Sequence, residues 1–240
     1  MKTTVRAIMT AILSNLQATR AAIAQAVKAA QRDEAEVHLL AVSKTFPAAA
    51  VREAYQAGQI AFGENYLQEA LEKIGALHDL PLEWHFIGPI QSNKTRPIAE
   101  NFAWVHSVDR LKVAERLSAQ RPPHMPPLNI CLQVNVSGED SKSGVAPGEV
   151  LAMAQNIVRL PHLRLCGLMA IPAPTEDAVV QRAAFAQMRI LLEQLNGQGL
   201  MLDTLSMGMS HDYAAAIQEG ATIVRIGTAI FGSRDYGGRT

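Results

Sequence analysis

Lys44 closes the apolar run Leu39-Leu40-Ala41-Val42-Ser43. A lysine at the end of a buried strand is partly desolvated. Burial disfavours the ammonium, lowers its pKa and leaves a nucleophilic amine suited to a Schiff base. The same placement also suits a lysine that snorkels to solvent. A second constellation is Ser206-Met207-Gly208-Met209-Ser210. Hydroxyls and small residues at this density let main-chain N–H groups converge on an anion. A helix starting near His211 would turn its positive end to the same point. A third is Arg225-Ile226-Gly227-Thr228. Gly227 permits close backbone approach, and Thr228 can cap a following helix or donate to phosphate. Ordinary turns and caps would read the same way. A reactive lysine together with a phosphate cradle fits an aldehyde-bearing phosphate cofactor, and pyridoxal 5′-phosphate fits best.

These residues need a frame. A short β-branched apolar run, a polar turn and a helical stretch recur eight times along the chain. The candidate strands are His38 to Ser43, Gln59 to Phe62, Trp84 to Ile87, Trp104 to Ser107, Leu128 to Val134, Leu163 to Met169, Asp203 to Ser206 and Ile223 to Ile226. The helical patterns between them include Ala48 to Ala57, Tyr66 to Ile74, Arg110 to Ser118, Pro147 to Arg159, Ala178 to Leu195 and Tyr213 to Glu219. Alternating strands and helices imply parallel βαβ units. Eight such units in 240 residues predict an α/β fold, a single (β/α)8 TIM-like barrel, with a doubly wound open sheet as the alternative. Ile8, Ile12, Leu16, Ile23 and Val27 recur at helical spacing and predict an extra amphipathic N-terminal helix, not a signal peptide. The beat runs through the proline-rich loop Arg121 to Pro127 and the glycine-flanked loop Glu139 to Ser143, so one domain is expected over residues 1–240. In a barrel the strand C-termini share one face and active sites lie there. Lys44, Glu64, Asn65, Gly88, Ser107, Asp109, Asn135, Met169, Ser206 to Ser210, Gly227 and Thr228 all fall at those ends.

Composition narrows the function. Hydrophobic residues make up 48% and charged residues 18%, enough for a sizeable core. Lys+Arg and Asp+Glu are 22 each, which speaks against a broad footprint for nucleic acid or anionic membrane. No apolar run reaches the roughly 18 residues of a membrane span. Cys131 and Cys166 lie in apolar runs and read as buried thiols. The histidines show no metal-ligand spacing. Gly88 to Thr95 resembles a P-loop but lacks its second glycine, so Asn93 and Lys94 are expected to cap the third helix and shape the barrel mouth.

The motifs Ala41-Val42-Ser43-Lys44-Thr45, Phe62-Gly63-Glu64-Asn65-Tyr66, Trp84-His85-Phe86-Ile87-Gly88, Gln91-Ser92-Asn93-Lys94, Gln133-Val134-Asn135, Gly167-Leu168-Met169, Ser206-Met207-Gly208-Met209-Ser210 and Arg225-Ile226-Gly227-Thr228 followed by Ile230-Phe231-Gly232 occur in this order. From about Val37 to Tyr236 the chain closely resembles the pyridoxal phosphate homeostasis protein family. The resemblance implies a barrel related to the N-terminal domain of alanine racemase, with the cofactor held on Lys44 as an internal aldimine. It implies phosphate contacts from Ser206, Ser210, Gly227 and Thr228, a further cofactor contact from Met207, and Arg225 facing the pyridine nitrogen. Asn65, His85, Asn135 and Met169 would line the pocket. Many members carry a basic or aromatic-polar residue two positions after the lysine, where this chain has Phe46. Lys142 matches a Lys-Ser-Gly stretch of the family and is read as a solvated loop lysine, with a weaker second cofactor site as the alternative.

Two functions follow. One is a non-catalytic carrier that stores, buffers or delivers pyridoxal phosphate, with apo-enzymes that use it as partners. The other is an amino-acid racemase, which needs a base on each face of the substrate adduct. Lys44 can serve one face. In alanine racemases the opposing tyrosine comes from a separate domain across a dimer interface, and this chain ends about where the barrel closes. None of Tyr55, Tyr66, Tyr213 and Tyr236 is placed for that role. The expectation is a cytoplasmic, monomeric carrier.

Overall fold

The computed structural model describes residues 2–138 and 143–233, with side chains from residue 11 onward. Helix α1 (Lys2–Ala29) precedes strand β1 (His38–Val42). There follow α2 (Ala48–Gln56), β2 (Ala61–Glu64), α3 (Leu67–Ala76), β3 (Glu83–Phe86), α4 (Thr95–Asn101) and β4 (Trp104–Val108). The second half holds α5 (Leu111–Gln120), β5 (Leu128–Gln133), α6 (Val150–Ile157), β6 (Leu163–Met169), α7 (Ala178–Gly197), β7 (Thr204–Ser206), α8 (Tyr213–Gln218), β8 (Ile223–Ile226) and α9 (Thr228–Phe231). The strands close in sequence order into one parallel barrel, β1 pairing with both β2 and β8. The expected eight-stranded barrel is therefore present, and the open-sheet alternative is not.

The residue types explain the layers. Alternation along β1 sends Ala41 toward the helices while Leu40 and Val42 meet Ile87 and Ile223 inside the barrel. Gly63 leaves room there: a Cβ on it would lie 3.2 Å from both Leu40 and Ile87. The larger core lies between barrel and helices, with Phe62, Phe86, Phe102 and Phe185 fully buried. Buried Ile12, Leu16, Ile23 and Val27 give α1 its inner face, which lies against α2, α8 and α9. Among the described residues no helix is long and apolar enough to cross a membrane.

The differences from the sequence reading are local. Strand β2 starts at Ala61, two residues after the expected Gln59. The Gln59 amide lies ahead of the strand and donates to the carbonyls of Leu39 and Ala61. The stretch expected as one helix from Pro147 begins as a 3-10 turn over Pro147–Glu149, followed by α6. Asn93 and Lys94 do not cap a helix with their side chains. They form a 3-10 turn, Ser92–Lys94, ahead of α4. Arg121 anchors the proline-rich loop by donating to the carbonyls of Ala99, Phe102 and Pro126. Cys131 and Cys166 are buried free thiols, and burial pushes both pKa values up, that of Cys166 to about 11. Lys142 lies outside the described residues.

Candidate functional site at the barrel mouth

Lys44 is half-buried, two residues past the end of β1. Its turn is braced from three sides. Ser43 Oγ donates to Glu64 Oε1 at 2.6 Å. Lys73 Nζ, from α3, donates to Ser43 O and to Glu64 Oε1, both at 2.7 Å, and to Glu69 Oε1 at 2.5 Å. Thr45 has the left-handed φ of 69°, a conformation that costs a non-glycine residue about 1–3 kcal/mol. Its N–H donates to Glu69 Oε1 at 2.6 Å, and the main chain closes the turn through Phe46 N–H to Ser43 O. Phe46 stacks on Phe231 of α9 at 5.2 Å. Phe46 thus pins the lysine turn to the end of the eighth unit. Glu64 and Lys73 are almost fully buried. Burial pushes the Glu64 carboxyl up, and the Lys73 charge pulls it back.

Strand β8 is the neighbour of β1, with Leu40 opposite Arg225 and Ala41 opposite Ile226. The next residue, Gly227, touches the β1 backbone: a Cβ there would lie 2.9 Å from Val42 O. Only glycine permits that approach without displacing the strand ends. Gly227 occupies the N-cap position of α9, so the exposed Thr228 does not cap it. On the other side of β8, Gly208 has φ of 93°, and its carbonyl accepts from Arg225 N–H. Ser210 is half-buried beside this turn. The helix expected near His211 begins at Tyr213 and is short. Asp212 stands at its cap and accepts from Met209 N–H at 2.6 Å. An acid thus sits at the edge of the expected anion cradle. The Met207 side chain packs in the core outside the barrel, leaving its backbone to the turn.

Ser206, His85 and Arg225 are joined below the mouth. Arg225 donates from one nitrogen to Ser206 O and, at 2.7 Å, to Ser206 Oγ, and from another to Ala170 O at 2.8 Å. Ser206 Oγ also meets His106 Nδ1 at 2.7 Å. His106 Nε2 meets His85 Nδ1 at 2.9 Å, and His85 Nε2 meets Glu83 Oε1 at 2.8 Å. Trp104 stacks on His85 with rings 5.5 Å apart and nearly parallel. Burial holds the His85 pKa below the ordinary range against the pull of Glu83. It lowers His106 well below that range, helped by the neighbouring His85 and the Arg225 cation. Burial brings Arg225 down to about 10, which leaves it cationic near neutrality. His85 was expected at the pocket lining and Ser206 at the phosphate, and the structure gives their side-chain polar atoms these interior partners.

The remaining expected residues sit on the rim. Asn65 follows β2, and its Oδ1 is buried without a hydrogen-bond partner among the described residues. A buried acceptor left in that state suits a ligand that brings a donor. The Asn65 carbonyl fixes Gly88, whose Cβ would overlap it at 2.0 Å. Met169, at the end of β6, is fully buried between Gln133 and Ser206. Asn135 follows β5 and donates its N–H to Val145 O. Sequence reasoning did not single out Glu69, Lys73, Glu83 or His106. The signal for Glu83 and His106 was present: Glu83-Trp84-His85 and Trp104-Val105-His106 put polar rings and a carboxylate on one face of adjacent strands.

Residues 14–235 match the family model of the alanine racemase N-terminal domain. The pyridoxal phosphate homeostasis protein of Pseudomonas aeruginosa is 67% identical over 229 residues, 95% of this chain and 98% of the relative. The protein of the same name from Escherichia coli K12 is 51% identical over 231 residues, 95% of this chain and 99% of the relative. PipY of Synechococcus elongatus, solved with and without pyridoxal phosphate, is 41% identical with a TM-score of 0.81, covering 92% of this chain and 100% of PipY. The fold extends to alanine racemase from Corynebacterium glutamicum at 17% identity and a TM-score of 0.71, covering 97% of this chain and 64% of the racemase. With the lysine turn, the glycine-lined rim and the buried arginine in the family's order, the chain belongs to the pyridoxal phosphate homeostasis proteins, built on the barrel of the alanine racemase N-terminal domain.

Proposed function

We propose that this chain is a non-catalytic intracellular carrier of pyridoxal 5′-phosphate, holding the cofactor on Lys44 for storage, buffering or delivery to apo-enzymes. The observation that carries the proposal is the pairing of β1 with β8. It sets the braced Lys44 turn beside Gly227, with the Arg225 cation beneath. The residues fit the group. Lys44 offers the amine, Gly227, Thr228 and Ser210 border the space for the phosphate, and the unpartnered Asn65 Oδ1 asks for a donor. Ser206 and Met207 contribute through the turn they begin, and Asn135, His85 and Met169 frame the floor and wall. When bound, the cofactor supplies an electron-withdrawing ring. A guanidinium beside the ring nitrogen cannot accept a hydrogen bond, so it leaves that nitrogen unprotonated and the ring a weak electron sink. That suits holding the cofactor better than carbanion chemistry. The names of the relatives and the pyridoxal phosphate found in PipY support the same reading. We propose that the carrier acts as a cytoplasmic monomer.

The test is to load the protein, record the visible band of the bound cofactor, and incubate it with L- and D-amino acids in D2O. The expected result is a band that Lys44→Ala abolishes without unfolding the barrel, and α-proton exchange no faster than with free cofactor. A band retained in Lys44→Ala would place the covalent site elsewhere. Exchange well above free cofactor would replace the carrier with an enzyme.

A further inference from the structure

A continuous chain of hydrogen bonds crosses the barrel interior from Glu83 through His85, His106 and Ser206 to Arg225. Glu83 begins β3, so it lies at the face opposite the mouth, and its side chain is 47% exposed. Ser206 ends β7 at the mouth.

The donors can be assigned one by one. Arg225 has only donors, so Ser206 Oγ must accept from it. The Ser206 hydroxyl proton then goes to His106 Nδ1. Neutral His106 carries its proton on Nε2 and donates to His85 Nδ1. Neutral His85 carries its proton on Nε2 and donates to the Glu83 carboxylate. Every atom in the chain is satisfied and both rings are neutral, as their burial demands. The opposite sense needs a donor at position 83. His85 and His106 would then both be protonated on Nδ1, and Ser206 Oγ would accept from His106 and Arg225 together. Its own hydroxyl proton would be turned loose toward the mouth.

We infer that Glu83 is a positioning residue for Ser206 and Arg225, acting through His85 and His106 by fixing the direction of every hydrogen bond between them. The role at the ligand face rests on the proposed pyridoxal phosphate site. Other charged or titratable groups approach the chain without entering it. Arg20, Glu34 and His38 share the cleft beside Glu83, Cys131 and Asp212 act on Arg225, and Cys166 lies beside Cys131. None of these has a hydrogen bond to the two rings among the described residues.

Long-range 1H–15N correlation spectra of His85 and His106 report the tautomers without any cofactor. The wild-type protein is expected to show both rings protonated on Nε2 at neutral pH. Glu83→Lys places a donor at the open end and is expected to move both protons to Nδ1. Glu83→Gln can accept or donate and is expected to give a mixture. With pyridoxal phosphate added, Glu83→Lys should displace the absorption band and weaken binding about tenfold, the effect of one altered hydrogen bond. An Nδ1 proton on either ring in the wild type would overturn the inference, and this measurement needs no variant to fold. Unchanged tautomers in both variants would also overturn it, as would switched tautomers with band and affinity unaltered. If the wild type binds no pyridoxal phosphate while the tautomers behave as described, the carrier reading fails and the directed chain stands.

Discussion

The Lys73 ammonium donates to the main-chain carbonyl of Ser43 at 2.7 Å, one residue before the lysine expected to hold the cofactor. The same ammonium neutralises Glu64, whose side chain is fully buried. Removing one member of a buried pair leaves the other charge uncompensated, which costs about 3–5 kcal/mol. Lys73→Met should lower stability by about that amount in denaturant unfolding. The double variant Lys73→Met/Glu64→Gln should recover part of the loss because no charge is then stranded. A single variant costing under about 1 kcal/mol would mean that the clamp contributes little.

Two glycines should respond in opposite directions to the same methyl group. At Gly227 a Cβ would press within 2.9 Å of Val42 O and 3.3 Å of Val42 Cβ. Gly227→Ala should therefore part the ends of β8 and β1, cost about 1–3 kcal/mol and weaken cofactor binding with the secondary structure intact. At Gly75, inside α3, nothing lies within 4 Å of the new methyl. Gly75→Ala should stabilise by about 0.5–1 kcal/mol through helix propensity alone. Melting and binding measurements on the two variants check both signs, and a neutral Gly227→Ala would remove the steric argument for the close approach.

The buried imidazoles set an acid limit on stability. Both His85 and His106 have folded pKa values depressed by burial. In the unfolded chain each would titrate near the ordinary value of about 6.5. Below that value the unfolded state binds more protons than the folded one. Stability is thus full above about pH 6.5 and is lost as pH falls toward the folded pKa values. Glu83 acts in the same sense at lower pH, because its hydrogen bond from His85 depresses its pKa. Unfolding free energies at a series of pH values from 8 to about 5 should therefore decline, and the decline should flatten in His106→Asn. Equal slopes in the two proteins would show that His106 already titrates normally.

The barrel was legible because apolar β-branched runs recur at regular spacing, and buried parallel strands require little else. Strand β6 and β8 match their expected ranges. Helix α4 was expected only as a third helix after Asn93 and Lys94, without bounds, because Thr95–Asn101 is seven residues long and carries Pro97 in its first turn, too short for a periodic face. Lys44 and the rim glycines were legible because chemistry at a barrel mouth falls at strand ends. The clamp was not. Glu69 and Lys73 read as an ordinary surface i,i+4 pair, and only the tertiary fold brings Lys73 under Ser43. The link from His106 to Ser206 was hidden for the same reason, since the two are 100 residues apart.

Arg225 offers the sharpest separation of charge from shape. Its planar fork reaches Ser206 O, Ser206 Oγ and Ala170 O, and burial lowers its pKa only to about 10. A lysine in the same place starts near 10.4, cannot span the three acceptors, and is driven further down by desolvation. Arg225→Lys should keep the covalent attachment at Lys44, displace the bound-cofactor band and weaken affinity about tenfold. Its band should also drift with pH in the alkaline range below about 10, where the wild-type guanidinium keeps its charge. Arg225→Glu goes further. A carboxylate leaves the three acceptors without a donor, so the band should change more while attachment at Lys44 persists. If both variants keep the wild-type band and affinity across pH, Arg225 does not face the ring, and its work is confined to joining β6, β7 and β8 beneath the mouth.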